Sequence, residues 1–153
     1  MPEDKYRNAN YAPDFHEMEE KTEIDDSEML RVIQEEGFSA YRKNNGEISI
    51  NVEGLEFTFG KSSRGFIFGR HRIELDIEEK WLAMRAAQDV GLCSIATKVL
   101  VMPRRRTVLF SIESLCNNPE TFRRFVRLSI PFLSRSVLRY HFRMKELRKG
   151  RHN

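Results

Sequence analysis

The side chains best equipped for chemistry in this chain are its arginines. Arg104, Arg105 and Arg106 are consecutive, and Arg123, Arg124, Arg127, Arg135, Arg139, Arg143, Lys145, Arg148 and Lys149 recur through the C-terminal stretch. A guanidinium offers a planar fork of donors that matches carboxylate or phosphate geometry. A row of them suits a nucleic-acid backbone, each neutralised phosphate adding salt-dependent affinity. The candidate anion or nucleic-acid contacts are therefore Arg104, Arg105, Arg106, Arg127, Arg135, Arg139 and Arg143. The competing reading is a solvated helix face, or one held by acids elsewhere in the chain. Residues 1–26 carry nine acids against three bases, and residues 119–153 carry ten bases against two acids, within a net charge of +3. Ends of opposite sign can attract each other, a partner, or only water.

Other chemistries find little footing. Gly60-Lys61-Ser62 has the ending of a phosphate-binding loop, but the position needing the first glycine is Leu55, and the residues between alternate like a strand. Cys93 and Cys116 could form a cross-strand disulfide, a redox switch or half a zinc site; two reduced cysteines are the favoured reading, and His16, His71, His141 and His152 are scattered without ligand spacing. Asp76 and Glu79 have the spacing of a helix cap. His71, between Arg70 and Arg72, reads as solvent-exposed strand, and Lys98 with Glu113 as a surface ion pair. The chain has no Gly-x-Ser-x-Gly, His-Glu-x-x-His or CxxC signature. The expectation is a protein that is not an enzyme, with no cofactor and no metal.

The elements that position these groups follow from spacing. Residues 1–24 lack periodicity and read as a flexible acidic leader, residues 25–148 as a single α+β domain, and residues 149–153 as a tail. The spacing predicts a first helix over Ser27–Glu36, capped by Asp25 and closed by Gly37. An antiparallel meander follows. Asn45-Gly46 as a two-residue loop pairs Tyr41 with Ile50, and Glu53-Gly54 pairs Val52 with Leu55, Ile50 with Phe57 and Ile48 with Phe59. Both registers put Tyr41 and the aliphatic and aromatic residues on one face, leaving a polar face with no aromatic on it. A fourth strand begins at Phe66 and runs to about Ile73. A second helix, Ile77–Val90, ends at Gly91. A hairpin over Cys93–Met102 and Thr107–Cys116 turns at Pro103–Arg106 and sets Cys93 opposite Cys116. A long helical element from Pro119 to Leu147 is expected to kink or divide at Pro131.

This order of helix, antiparallel β-meander, helix, β-hairpin and long kinked C-terminal helix resembles the type III secretion chaperone-like fold. Within it the chain is most similar to the YbjN-type family of small bacterial proteins, over about residues 25–148. The chain departs from the chaperone pattern by a fourth meander strand, and by a pI of about 9.0 where secretion chaperones tend to be acidic. The resemblance implies a non-enzymatic, protein-binding, chaperone-like or regulatory domain, often dimeric, and transfers no catalytic motif.

The functional expectation is a self-associating protein-binding domain whose protein partner is unknown. Phe132, Leu138 and Phe142 lie at the margin of the last helix's apolar face and are candidate homodimer or partner contacts. The alternative is a nucleic-acid-binding module using the arginine-rich last helix and the Arg104–Arg106 tip. No stretch approaches the roughly 18 apolar residues of a membrane span. The N-terminus reads without a signal peptide, so the expected location is cytoplasmic and no membrane partner is implied.

Overall fold

The structure is a computed structural model that describes residues 24–94 and 96–151. The leader up to residue 23 lies outside the described residues, as do the last two residues of the tail, 152–153.

Helix α1 (Asp26–Glu35) starts where the Asp25 carboxylate accepts the Glu28 amide at 2.8 Å. It ends before Gly37, whose φ of +92° is the left-handed conformation a helix terminus favours. Met29, Val32 and Ile33 form its buried stripe. Strands β1 (Ala40–Arg42), β2 (Ile48–Val52), β3 (Leu55–Lys61) and β4 (Ile67–Glu74) make the meander. Helix α2 (Lys80–Cys93) follows a short 3-10 turn at Ile77–Glu79, whose first free amides are capped by Asp76. Strands β5 (Lys98–Met102) and β6 (Thr107–Ser114) form the hairpin, and helix α3 (Pro119–Gly150) closes the chain. The six strands make one antiparallel sheet in the order β1-β2-β3-β4-β6-β5.

The β2–β3 register is the expected one, Ile50 opposite Phe57 and Val52 opposite Leu55. Glu53 and Gly54, with φ of 52° and 84°, supply the two positive values a type I′ loop requires. The β5–β6 register also agrees, with Val99 opposite Phe110. The β1–β2 register does not. Ala40, not Tyr41, faces Ile50. Asn45 keeps a negative φ and only Gly46 is left-handed, at +85°, so the loop closes with three residues between Lys43 and Glu47. One added loop residue shifts the pairing by one and turns β1 over. Tyr41 therefore lies on the other face, 58% exposed.

One side of the sheet carries the core: Ile48, Ile50, Phe57, Phe59, Val108 and Phe110 are all fully covered. Helices α1 and α3 lie across it, and Phe59 meets Phe122 and Phe125 of α3 edge-on at 6.4 and 6.3 Å. His71 belongs to this face rather than to solvent. It is 8% exposed, sits between the Phe57 and Phe110 rings, and its Nδ1 is 2.7 Å from the Glu56 carbonyl oxygen. The reason is again register, because His71 pairs with Phe110 and so shares its side.

Helix α2 runs through Gly91 to Cys93. A single helical glycine costs only about 1 kcal/mol relative to alanine, too little to stop a helix. Cys93 is consequently an exposed residue at a helix end, not a strand partner of the buried Cys116. Helix α3 likewise continues through Pro131 without division. The lost hydrogen bond is offset by burial on both sides of the proline, where Ile130 and Leu133 sit in the core.

Candidate functional site

Helix α3 decides the fate of most of the predicted contact residues. Its buried stripe, from Phe122 through Val126, Leu133 and Val137 to Met144, is fixed against the sheet. Its flanking arginines therefore point along the neighbouring helices and find acids there. Arg123 bonds Glu35 at 2.6 Å and Glu36 at 3.0 Å, and Arg127 holds the same Glu36 through two nitrogens at 2.8 and 2.9 Å. Arg143 bonds Asp89 of α2 at 2.7 Å, Arg148 grips Glu79 at 2.6 and 2.8 Å, and Arg139 donates to the Cys93 carbonyl. Hydrogen bonding from Arg123 holds the Glu35 carboxyl below the usual carboxylate range, and Arg127 and Arg148 do the same for Glu36 and Glu79. These are docking contacts of α3 on α1 and α2. Of the seven candidate anion contacts, Arg127, Arg139 and Arg143 are engaged in this way. Arg104, Arg105 and Arg106 stand exposed on the β5–β6 tip, where Arg106 takes the left-handed conformation. Arg135 is exposed, its guanidinium 6.0 Å from the Phe132 ring.

The candidate dimer contacts cluster better. Leu138 and Phe142, one helical turn apart on α3, are each 67% exposed. They border a groove of about 660 Å³ between α3 and α2, floored by Val90 and Cys93 and edged by Asp89, Arg139 and Arg143. Leu92, 81% exposed, adds a third bare apolar side chain at the end of α2. The sequence reading missed it by ending α2 at Val90. Phe132 is half-buried and lines a smaller cavity with Ser94, Arg135 and Ser136, which adjoins the groove through the shared Cys93 and Arg139.

Among the described residues no helix covers the other face of the sheet, the open face, and it is not free of aromatics. Besides Tyr41 it carries Phe68, with the Arg70 guanidinium 3.7 Å above its ring. Lys98 and Glu113 make the expected ion pair, at 3.7 Å. Among the described residues no three His, Cys, Asp or Glu side chains gather where they could hold a metal ion. Burial pushes the Cys116 thiol up, away from the reactive thiolate.

No family model matches the chain, and no curated protein matches it in sequence. A solved structure does match: YbjN from E. coli, a protein proposed to regulate transcription. It superposes with a TM-score of 0.60 over 71% of this chain and 84% of that one, at 14% sequence identity. The fold is YbjN-like. That likeness covers the sheet-and-helix architecture and speaks for the fold alone, so the roles of individual residues rest on the geometry above. Among the described residues of this YbjN-like fold, no helix is long and apolar enough to cross a membrane.

Proposed function

We propose that this chain is a non-enzymatic binding domain that self-associates through the groove between α2 and α3, with a second copy of the chain as occupant. The observation that carries the reading is the pairing of bare apolar ridges, Leu138 and Phe142, with an adjacent apolar groove. A two-fold interface needs a surface that complements itself, and a ridge beside a groove on one helix pair meets that need. The rim is of mixed charge: Arg143 closes on Asp89 within one copy, while Arg139 bonds only a backbone carbonyl. Two copies related by a two-fold axis can thus set Arg139 of one against the second carboxylate oxygen of Asp89 in the other. A stable interface needs about 800 Å² per partner. The 32 residues of α3 give a helix of about 48 Å, long enough to supply that area. Light scattering at rising concentration is expected to show a dimer, and Leu138→Arg or Phe142→Arg to return it to monomer with the helical signal intact. A wild-type chain that stays monomeric at millimolar concentration removes the reading.

A nucleic-acid reading keeps support from Arg104, Arg105, Arg106, Arg135 and Arg139, which have no carboxylate partner among the described residues. It predicts binding in a filter assay that falls steeply with salt and is lost on replacing the three tip arginines. An absence of binding at low salt ends it.

A further inference from the structure

We propose that the open face of the sheet carries a binding site for a phosphate monoester, held by Arg70 and Arg72. The two arginines alternate with His71 on β4, so both project from the face that the helices leave bare, with Cα atoms about 6.6 Å apart. Their setting is built from the strand beneath. At Gly60 of β3 a Cβ would come within 2.7 Å of the Phe68 Cζ, so the missing side chain is what admits the Phe68 ring. That ring in turn supports the Arg70 guanidinium at 3.7 Å. Arg70 is thereby held in place by an aromatic face, which leaves its charge uncompensated and lowers the ordering cost of binding an anion.

Among the described residues, two buried polar atoms on this face have no partner. One is Nε of Arg70, which lines the pocket; the other is Oγ of Ser111, which is 3% exposed and lies opposite Arg70 on β6, outside the pocket lining. Such groups are costly unless something pairs with them. Arg70 and Arg72 line one pocket of about 310 Å³ together with Lys43, Asn45, Thr58 and the two carboxylates Glu47 and Glu56, so cations outnumber acids there by one. Lys43 is already bound to Glu56 at 3.0 Å, whereas neither arginine has a carboxylate within ion-pair range among the described residues. Two unpaired guanidiniums side by side match a dianion, while a carboxylate would satisfy only one of them. The volume sits at the lower end of small-molecule sites, roughly 300–1,000 Å³, and exceeds what a bare oxyanion fills. Asn45 and Glu47 stand ready for hydroxyl groups on the esterified part. The site is on the opposite side of the sheet from α3, so it does not depend on the groove used for self-association.

Titrating the ¹⁵N-labelled full chain with glycerol 3-phosphate at low salt tests the site, with glycerol and inorganic phosphate as separate arms. The expected result is saturable amide shifts at Thr58, Arg70 and Arg72 with glycerol 3-phosphate, weaker ones with inorganic phosphate, and none with glycerol. Arg70→Gln and Arg72→Gln are each expected to weaken binding by roughly 10–100-fold, the loss of a charge-assisted hydrogen bond. Arg85→Gln, at an exposed position on α2, is expected to leave it unchanged. Should Arg70→Gln disturb the sheet, the exposed Arg72 still carries the test. The proposal is overturned by an absence of saturable shifts with glycerol 3-phosphate, by inorganic phosphate binding as tightly, or by an Arg85→Gln loss equal to that of Arg70→Gln.

Discussion

Among the described residues, two surfaces of this domain that no helix covers differ in kind. The groove between α2 and α3 is apolar, with Leu138 and Phe142 standing in solvent on its edge and Leu92 exposed at the end of α2. The open face of the sheet is charged, with Arg70 resting on Phe68 above Gly60. Both rest on one core, so the difference arises in what each outer layer must satisfy. Exposed aliphatic side chains gain by leaving water, which any well-fitting apolar partner allows. An unpaired guanidinium gains only from an anion placed to meet its fork. The same fold therefore offers one surface selected by shape and another selected by charge.

Changes that act on one surface and spare the other sharpen this contrast; a change in the shared core should abolish it. Phe59→Ala removes a fully covered ring that meets Phe122 and Phe125, and is expected to destabilise by about 3–5 kcal/mol in urea unfolding. Self-association and anion binding should then fail together. Gly60→Val is the next largest, about 1–3 kcal/mol, because its Cβ would strike Phe68. It should weaken anion binding through Arg70 and leave the dimer in place at concentrations where the domain stays folded. Tyr41→Ser is expected to fall within about 0.5 kcal/mol, since Tyr41 lies on the open face. A cost of several kcal/mol there would mean that Tyr41 faces the core after all.

The ion pairs that dock α3 add a pH term smaller than these. Arg123, Arg127 and Arg148 keep the carboxyls of Glu35, Glu36 and Glu79 below their ordinary values in the folded chain. Their contribution is fully present above the unfolded carboxylate value of about 4.3. It is lost as pH falls through the lower folded values. Thermal melts should thus show stability declining below about pH 4.3, with Glu36→Gln reducing that dependence. A Glu36→Gln profile identical to wild type would show that Arg127 docks nothing.

Much of the covered side was legible in the residues. Glu53-Gly54 permits essentially one tight loop, and that loop fixed Ile50 against Phe57. Asn45-Gly46 suits both a two-residue and a three-residue loop, and the sequence carries nothing local to choose between them, so β1 turned over. His71 was misplaced because its neighbours are charged, while its side is set by Phe110 some forty residues on. The partners of the α3 arginines were out of reach for the same reason. Arg123 meets Glu36 across 87 residues and Arg148 meets Glu79 across 69. Helical spacing did mark Leu138 and Phe142 as marginal to the buried stripe. It gave no hint of Leu92, whose helix was expected to stop short, or of the Phe68–Arg70 stack, which depends on the gap at Gly60 of the neighbouring strand.

The groove is tested most directly by isotope-filtered NOE spectroscopy on a sample mixed from labelled and unlabelled chains. The account predicts contacts between copies from the Phe142 ring and the Leu138 methyl groups to the Val90 and Leu92 methyls. Contacts between copies confined to other surfaces, or none in a sample concentrated to millimolar, would contradict it.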